Sequence, residues 1–271
     1  MAANNLRIVY KNLADTATVT ASSTSSAVTA VSNLKLDAKS QVWRSVGNTA
    51  TLTVTLAIPA QIGCVILPFC NLSATSTITV TLNTGFTTGS ILAAPYQSSV
   101  VVDTTNIPIG ANGYGYGGGG YARVWFTPQT CASLTIQITD PANTYIELSR
   151  LIVGDYWSPV YNTSYGLNTQ IKDLTTQTRT ESGDLVSNRG TTSTSMSLNL
   201  DYLTIEDRSQ LLTIFKNNGL YMPLFISVFP DNVDDYSKEL GFQIYGKLSQ
   251  LNPITHPYMS VYTSSIDIDE V

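Results

Sequence analysis

Apolar and polar side chains alternate over several short stretches in the first half of the chain. The stretches from Ala50 to Ile58 and from Thr75 to Leu82 both place an apolar residue at nearly every second position. This spacing puts one side of an extended strand in a core and the other in water, so both stretches predict half-buried strands. The run from Ile62 to Phe69 is almost continuously apolar and predicts a strand buried on both faces. The turn residues between these runs have the spacing of an antiparallel β-sandwich.

The segment from Ile136 to Trp157 connects this β-rich region to the rest of the chain. Its apolar positions alternate on both sides of Asp140-Pro141-Ala142-Asn143, whose residue types favour a turn. The pattern therefore predicts a hairpin that closes the sandwich. No flexible linker follows the hairpin, so we expect the sandwich to be attached rigidly to a second region.

The second region combines a long polar hairpin, one helix and further strands. Residues 168–202 form an alternating pattern with a tip around Gly183 to Gly190, and a two-stranded arm of this kind is marginal on its own in water. Thr204-Ile-Glu-Asp207 is typical of a capping-box helix start, and Asn218-Gly219 is typical of a helix end. The strand candidates after the helix are Pro223–Phe229, Leu240–Leu248 and Tyr258–Ile268. We therefore expect a small sandwich with one flanking helix and a projecting arm that needs a neighbouring subunit.

Charge is scarce in this chain and unevenly placed. Only 12% of the 271 residues are charged, and the formal net charge is −5. Residues 1–157 hold seven basic and six acidic residues, whereas residues 158–271 hold seven and thirteen, so the net charges are +1 and −6. No run of Lys or Arg occurs, which argues against nucleic-acid binding. No apolar run approaches the roughly 20 residues that span a bilayer, and the N-terminus lacks the features of a signal peptide. We expect a protein made in the cytosol that does not insert into membranes.

Residues that could carry catalysis or hold a metal are sparse. The sequence contains three cysteines without Cys-x-x-Cys spacing, namely Cys64, Cys70 and Cys131. Cys64 and Cys70 flank an apolar run and are interpreted as small buried side chains. His256 lies between prolines, which favours a turn. The acid pairs Asp231/Asp234 and Asp267/Asp269 could act as hydrolase carboxylates or calcium ligands, but their positions favour a solvated surface. We therefore expect no enzymatic activity, no catalytic residue, no bound metal and no cofactor.

Residues 110–121 are rich in glycine and tyrosine. Such a run cannot hold a strand register, because glycine loses much conformational freedom on ordering, and it predicts a loop. Aromatic residues in and after this loop could stack on a sugar or on a partner protein. The candidate ligand-binding residues are Tyr114, Tyr116, Tyr121 and Trp125. In the alternative interpretation, Tyr114 and Tyr116 pack on the sandwich that carries them.

Several segments carry a family resemblance. Ala30–Ser45, which includes Trp43-Arg44-Ser45, resembles the start of the discoidin-like (coagulation factor 5/8 C-type) jelly-roll sandwich as it occurs in bacteriophage tail proteins. The other matching segments of this region are Leu52–Ile58, Ile62–Asn71 and Ala132–Gly154. The second region resembles the tail-tube-type fold of siphophage tail and baseplate ring proteins. The residues that carry this similarity are Gly166, the hairpin to Leu200, the helix ending at Gly219, and Pro223-Leu-Phe-Ile.

The resemblance implies a mainly β protein with two domains. Residues 1–157 would form a discoidin-like jelly-roll β-sandwich, and residues 158–271 a tail-tube-like β-sandwich with one α-helix and a long hairpin. In many distal tail proteins the tube-like belt precedes the accessory domain, whereas here the sandwich leads. A belt strand at Leu6–Tyr10 with the sandwich inserted after it would reconcile the two orders. Residues 1–12 would then pair with the second domain.

The resemblance also implies a structural component of a bacteriophage tail tip or baseplate, located in the virion tail and assembled in the cytoplasm of the bacterial host. Such a protein forms a homo-oligomeric ring, a hexamer or alternatively a trimer, that links the tail tube to hub, fibre and other tail proteins. Ring closure removes free sheet edges. The acidic second region would suit a lumen through which DNA passes, because like charges repel. The candidate oligomer-interface residues are Arg179, Glu181, Asp184 and Arg189.

Two other functions fit parts of the sequence. The first is a carbohydrate-binding or host-receptor-binding tail protein, in which loops of the N-terminal sandwich hold a surface glycan. The second is a glycosidase, which would hydrolyse a surface polysaccharide. Rings in electron micrographs favour the structural protein, whereas monomers that bind host cells favour the receptor-binding one.

Overall fold

The computed structural model describes residues 5–73, 75–89, 91–92, 120–230, 239 and 241–271. The strands of these residues form two large sheets and a separate two-stranded hairpin. One sheet is built from residues 18–154, and the other combines the N-terminal strand β1 (Arg7–Val9) with strands that follow residue 167. The mainly β fold class predicted from the sequence is confirmed.

The first sheet belongs to the sandwich module, residues 13–155. Its strands are β2 (Thr18–Ala21), β3 (Trp43–Arg44), β4 (Thr49–Cys70), β5 (Thr77–Leu82), β6 (Ile91–Leu92), β7 (Gly120–Thr139), β8 (Glu147–Leu148) and β9 (Ile152–Gly154). The strand order is β3-β8-β4-β7-β5-β6, and β2 and β9 also pair with β4. Strand β4 is therefore the centre of the module.

Strand β4 changes character halfway along its length. Residues 49–55 pair with residues 133–139 and are buried at every second position, whereas residues 60–70 pair with residues 120–131 and are continuously buried from Ile62. The register shifts between the two halves, around Pro59. The sequence predicts two strands separated at this proline, but a bulge accommodates it within one strand. The burial of Ile62–Cys70 confirms the prediction of a strand covered on both faces.

The end of the sandwich module differs from the predicted hairpin. After the turn at residues 140–143, β8 and β9 pair with β4 and not with β7. The prediction of a closing hairpin across Ile136 to Trp157 is therefore wrong. The second half of β7 already has β4 on one side and β5 on the other, so the returning chain pairs with the edge of β4 that remains open.

The second module, residues 5–12 and 156–271, packs one sheet against one helix. Besides β1, its strands are β10 (Asn168–Asp173), β11 (Thr176–Arg179), β12 (Leu185–Asn188), β13 (Thr192–Leu203), β14 (Leu224–Ser227), β15 (Gln243–Leu248), β16 (Thr255–Tyr258) and β17 (Val261–Glu270), and its helix is α1 (Ile205–Asn218). The sheet order is β1-β14-β15-β17-β13-β10, with β16 also paired to β17. The helix contributes Leu211, Ile214 and Phe215 to the core of this module.

Helix α1 begins as the sequence predicts. The hydroxyl of Thr204 accepts the backbone N–H of Asp207 at 3.1 Å, and the Asp207 carboxylate accepts the N–H of Thr204 at 3.2 Å, which makes a reciprocal capping box. Gly219 follows the helix with φ +52°, a value that favours glycine. The helix is 14 residues long. No helix among the described residues is long and apolar enough to cross a membrane.

Strand β1 lies in the second sheet although it precedes the sandwich module in the chain. It pairs with β14, with Arg7 opposite Ser227 and Val9 opposite Phe225. Ile8 forms a further antiparallel bridge with Trp157. The chain therefore starts in the second sheet, builds the sandwich module and returns to the sheet in which it started.

The two modules meet in a shared core. Side chains of β4 point alternately to its two sides: Val65 and Leu67 pack in the core of the sandwich, whereas Cys64 and Ile66 face the second module. The other buried residues of the shared core are Val9, Val42, Phe69, Trp125, Ile152, Phe225 and Tyr245. Because both modules contribute apolar side chains to it, the shared core holds one sheet face to face with the other.

Candidate functional site

The arm, residues 174–190, is exposed along its length. Every residue of β11 and β12 is exposed, and these strands pair only with each other. Leu174, Leu185 and Val186 are 66%, 53% and 56% exposed. A lone two-stranded ribbon is marginal in water, and exposed apolar side chains are typical of contact surfaces. The arm is therefore a candidate surface for contact with another protein.

Three of the predicted oligomer-interface residues lie at the tip of the arm. Arg179 Nη1 donates a hydrogen bond to the carbonyl of Gly183 at 2.8 Å. Asp184 Oδ2 accepts a hydrogen bond from the Ser182 hydroxyl at 3.0 Å. Glu181 is exposed beside them. Arg179 and Asp184 thus stabilise the tip turn within one subunit, and their contact with a second subunit stays a prediction.

The fourth residue, Arg189, lies at the base of the arm. Hydrogen bonds from Thr175 lower the pKa of Asp173, and the positive charge of Arg189 contributes to this shift. Gly190 lets the chain pass close to the other strand, because a Cβ at this position would lie 2.3 Å from the carbonyl carbon of Leu174. The base is therefore well defined, and Arg189 remains exposed there.

Strand β10 forms one end of the second sheet. It pairs with β13 from Asn168 opposite Ser197 to Asp173 opposite Thr192, and no other described strand pairs with its far side. Ile171, the one large apolar residue of β10, is 73% exposed. An unpaired edge is a template for a strand of another chain. The β10 edge and the arm are continuous in sequence and together form a candidate contact surface.

Large exposed apolar side chains are divided unequally between the modules. Among the described residues, four lie in the sandwich module and fifteen in the second module. Tyr161 and Tyr202 of the second module form an exposed edge-to-face pair with ring centroids 6.3 Å apart. Because monomeric proteins rarely expose contiguous apolar patches, this difference favours the second module as the one that contacts other proteins.

The structure places Trp125 inside the shared core and packs the partly buried Tyr121 against it. Trp125 is 9% exposed, and its Nε1 donates a hydrogen bond to Glu239 Oε1 at 3.2 Å. The hydroxyl of Tyr121 donates to Glu270 Oε1 at 3.0 Å. The expectation that these rings are exposed to a ligand is not met, because the sheet of the second module covers them.

Tyr114 and Tyr116 lie outside the described residues, so their contact with a ligand stays a prediction.

For Trp125 and Tyr121 the sequence does contain a signal of burial. Residues 121–126 read Tyr-Ala-Arg-Val-Trp-Phe, which is nearly continuous apolar sequence, like the strand buried on both faces at Ile62–Phe69. A single arginine in such a run indicates a buried charge with a partner.

The partner of that arginine is found in the first of three polar networks at the shared core. Arg123 Nη2 lies 2.6 Å from Glu239 Oε2, and the two side chains are 5% and 2% exposed. Trp125 Nε1 and the Ser227 hydroxyl donate hydrogen bonds to Glu239 Oε1 at 3.2 and 3.1 Å. The carboxylate is therefore well satisfied, and it connects β7 of the sandwich module with β14 of the second module.

The second network is centred on Arg150. Its Nη1 lies 2.8 Å from Asp15 Oδ1, and its Nε donates a hydrogen bond to the hydroxyl of Tyr245 at 3.0 Å. That hydroxyl donates in turn to Asp37 Oδ1 at 2.9 Å. Burial raises the pKa of Tyr245 above its ordinary value although the adjacent Arg150 opposes the shift. The hydroxyl therefore stays protonated and connects the modules.

The third network is centred on Glu270. This carboxylate accepts hydrogen bonds from the Tyr121 hydroxyl at 3.0 Å and the Thr194 N–H at 2.8 Å, and Lys39 Nζ lies 3.4 Å from it. The Lys39 ammonium also lies 4.4 Å from the centre of the Phe69 ring. Burial lowers the pKa of Lys39, and Glu270 opposes that shift. With three networks around one apolar core, the joint between the modules is a rigid contact.

Groups with chemical reactivity are few among the described residues. The three cysteines are buried and unpaired, which confirms the interpretation of Cys64 and Cys70 as small buried side chains. Burial raises the pKa of the Cys70 thiol to about 12, so this thiol stays protonated. His256 lies in β16 and not in the predicted turn, and its ring stacks on Tyr262 with centroids 4.6 Å apart. The described residues contain no group of His, Cys, Asp and Glu that could hold a metal ion.

The acid pair of β17 is engaged in local contacts. Asp267 accepts hydrogen bonds from two side-chain amides, at 2.8 and 2.7 Å. Asp269 lies 2.6 Å from Lys172 Nζ in an exposed ion pair. These contacts fit the interpretation of a solvated surface. Asp231 and Asp234 lie outside the described residues.

Comparison with known proteins gives weak structural similarity. No protein-family model and no curated protein matches the chain. Chitosan-binding module 1 of a chitosanase/glucanase from Paenibacillus sp. IK-5 is 21% identical, with 54% of this chain and 99% of that one covered and a TM-score of 0.37. The family 32 carbohydrate-binding module of Clostridium perfringens NanJ, solved with galactose, is 13% identical, with 55% and 99% covered and a TM-score of 0.37. Values this low assign neither a family nor a ligand to this chain.

Proposed function

We propose that this protein is a structural component of a bacteriophage tail tip or baseplate, which forms a homo-oligomeric ring and links the tail tube to other tail proteins. The observation that carries the proposal is the contact surface of the second module. The arm and the β10 edge expose unpaired backbone together with Ile171, Leu174, Leu185 and Val186. A neighbouring subunit that pairs with this edge would cover both. The assignment to a phage tail rests on the resemblance of residues 158–271 to tail-tube-type folds.

The rigid joint also supports this proposal. Every subunit of a closed ring must present the same angle to its neighbours, because a small error at each contact prevents closure. The networks around Glu239, Arg150 and Glu270 hold the sandwich module at one angle to the second module. The sandwich would then occupy a constant place on the ring, available to other tail proteins.

The proposal is tested by the mass and shape of the full-length protein. We expect closed rings in negative-stain electron micrographs and an oligomer in light scattering at high protein concentration. Val186→Asp places a charge on the arm and should leave a folded monomer. Ile58→Asp is the matched control, since Ile58 is equally apolar and 76% exposed but lies on the sandwich module. A wild-type protein that stays monomeric, or equal loss of rings in both variants, contradicts the proposal.

A second candidate function is carbohydrate or receptor binding by the loop that contains Tyr114 and Tyr116. The Gly/Tyr composition of residues 110–121 supports it, and the similarity to carbohydrate-binding modules is too low to add to the argument. Binding to a glycan array should be lost in the double variant Tyr114→Ala/Tyr116→Ala. It should be retained in Tyr165→Ala, which removes an exposed ring from the second module. An array without hits contradicts this candidate.

A further inference from the structure

A cavity of about 390 Å³ opens where the two modules meet, on the side of the joint near Ala60. It is lined from both modules and combines aromatic rings with polar groups. The lining residues that matter for its chemistry are Tyr10, Gln61, Asp155, Tyr156, Trp157 and Gln210. Neither the arm nor Tyr121 is among the described residues that line it.

Two of the aromatic residues are held in place by bonds within the protein. The backbone of Trp157 exchanges two hydrogen bonds with Ile8, at 2.8 and 2.9 Å. Tyr10 accepts a hydrogen bond at its carbonyl from Asn218 Nδ2 at 2.7 Å, and at its hydroxyl from Gln210 Nε2 at 2.9 Å. The rings of Tyr10 and Trp157 are half-buried. Both rings pack against the core of the second module, and the Tyr10 ring is also held by the bond to its hydroxyl. The loss of conformational entropy on stacking with a ligand should therefore be small.

Asp155 provides a carboxylate beside these rings. Its Oδ1 accepts the N–H of Tyr156 at 2.9 Å. Burial raises its pKa, and no described Lys or Arg forms an ion pair with it. Gln61 is exposed at the sandwich side of the cavity and Gln210 lies on the helix side. A carboxylate and two amides can together accept and donate several hydrogen bonds to one polar ligand.

We propose that this cavity binds a small neutral saccharide. The aromatic rings offer flat apolar surface to the C–H face of a sugar ring, while the carboxylate and the amides bind its hydroxyls. The volume lies within the range of roughly 300–1,000 Å³ that is usual for small-molecule sites. The wall also contains Lys11, so one acidic and one basic side chain line the cavity. With formal charges that cancel, the cavity suits an uncharged ligand better than an anion.

The cavity lies far along β4 from Gly120, a described residue of the glycine- and tyrosine-rich segment. Ala60 pairs with Cys131, whereas Gly120, which follows residues 110–119 in the sequence, pairs with Cys70. Ten residues of strand separate these two points, or about 33 Å. The two candidate sugar sites can therefore be told apart by mutation.

Ligand-observed saturation-transfer NMR on the full-length protein tests the inference, with galactose, glucose, N-acetylglucosamine and lactose as probes. We expect saturation transfer to at least one of these sugars. Gln61→Ala and Asp155→Asn should each weaken its affinity by about tenfold, as expected for loss of one good hydrogen bond. Gln177→Ala removes an exposed amide from the arm and is the matched control, which should bind like the wild type.

Two results would overturn the inference. The first is absence of binding to all four sugars. The second is binding that survives in both cavity variants and is lost in Tyr114→Ala/Tyr116→Ala, which places the sugar on the loop. Gln61 is exposed, so its variant should fold like the wild type, and an unchanged circular-dichroism melt checks this. Ring formation is measured separately on the same samples, so failure of the proposed assembly and failure of this site are distinguishable.

Discussion

The sandwich module and the second module differ in how their strands are covered. The second half of β4 is buried on both faces, because one face lies in the core of the sandwich and the other faces the second module. Strand β10 and the arm, in contrast, have exposed faces, and β10 pairs on one side only among the described strands. The covered surfaces of the molecule are concentrated at the joint, and the uncovered ones lie on the second module. The joint therefore fixes the arrangement of the modules, whereas β10 and the arm are available to partners.

Some of the charged residues of the two regions form ion pairs with each other at the joint. The sandwich module contributes Arg123 and Lys39, and the second module contributes their acidic partners Glu239 and Glu270. These pairs cross from one module to the other. Apolar contacts alone would allow the two sheets to pack in several relative orientations. The charge pairs form in only one of them, so charge complementarity selects that orientation.

The largest loss of stability is expected when one member of the Arg123–Glu239 ion pair at the joint is removed. Glu239→Ala leaves Arg123 as an uncompensated buried charge and deprives Trp125 and Ser227 of their acceptor. The free energy of unfolding should fall by about 3–5 kcal/mol, measured by urea denaturation. Glu181→Ala at the exposed arm tip is the control and should change stability by no more than about 0.5 kcal/mol. Equal effects of the two variants would show that the joint does not stabilise the protein.

Adjacent residues of β4 distinguish the two cores that this strand serves. Ile66 and Leu67 are both fully buried, but Ile66 faces the second module and Leu67 faces the sandwich. Each change to Ala should cost about 2–5 kcal/mol. Hydrogen exchange should show faster exchange in β14 and β15 for Ile66→Ala, and in β5 and β7 for Leu67→Ala. The same exchange pattern in both variants would mean that the modules share a single cooperative core.

Lowering the pH should destabilise the protein more through Asp140 of the sandwich module than through Asp267 of the second module. Burial alone would raise the pKa of Asp140, but hydrogen bonds from Ser73 and Asn143 lower it overall. The unfolded carboxyl therefore takes up a proton at higher pH than the folded one. The stabilisation is present above about pH 4 and is lost as the pH falls through the folded pKa. Asp140→Asn should lose about 1–3 kcal/mol at pH 7 and show a shallower decline of stability below pH 5.

Asp267 of the second module is the counterpart of Asp140 for measuring how stability depends on pH. Burial tends to raise its pKa too, and hydrogen bonds from Ser197, Gln250 and Asn252 lower it. Its side chain is less buried than that of Asp140, so solvent weakens the effect. Urea denaturation over a pH series should show a smaller change for Asp267→Asn. A larger change in the second module would reverse the expected order.

The smallest effect is expected at the start of helix α1. Thr204→Ala removes the acceptor for the Asp207 N–H, and loss of such a cap costs about 1 kcal/mol. Thermal unfolding and hydrogen exchange of the first helical turn measure this loss. Thr213→Ala is the control, because Thr213 is exposed within the helix and its hydroxyl bonds back to Ser209. A loss at Thr213 equal to that at Thr204 would argue against a capping role.

Features that depend on neighbours in sequence could be predicted well. The capping box at Thr204 and the alternation from Ala50 to Leu56 follow from local hydrogen bonds and local spacing, and both are present in the structure. The predicted alternation fails at Ile58, which is 76% exposed next to the bulge around Pro59. The projecting hairpin between residues 168 and 202 is also present, because period-2 spacing on both sides of a polar turn leaves few other conformations. Its predicted tip at Gly183–Gly190 is wrong, because the turn lies at residues 180–184 and Leu185–Asn188 is already a strand.

Features that depend on which surface covers a strand could not be predicted. The burial of Trp125 comes from Glu239 and the second sheet, 114 residues away in sequence. The pairing of β9 with β4 depends on which strand edge is still open after β5 and β7 have paired. The cavity near Asp155 also depends on residues from both modules, so no local pattern indicates it.

The position of β1 has a consequence for synthesis on the ribosome. Arg7 must wait for Ser227, 220 residues later, before it can pair. At 5–20 residues per second this delay is about 10–45 s, during which the complete sandwich module can fold while β1 has no partner. Neighbouring ribosomes on one messenger carry nascent chains at different stages, so an unpaired β1 could insert into the sheet of another chain. A length of three residues limits this exchange, because so short a strand forms few bonds with a foreign sheet.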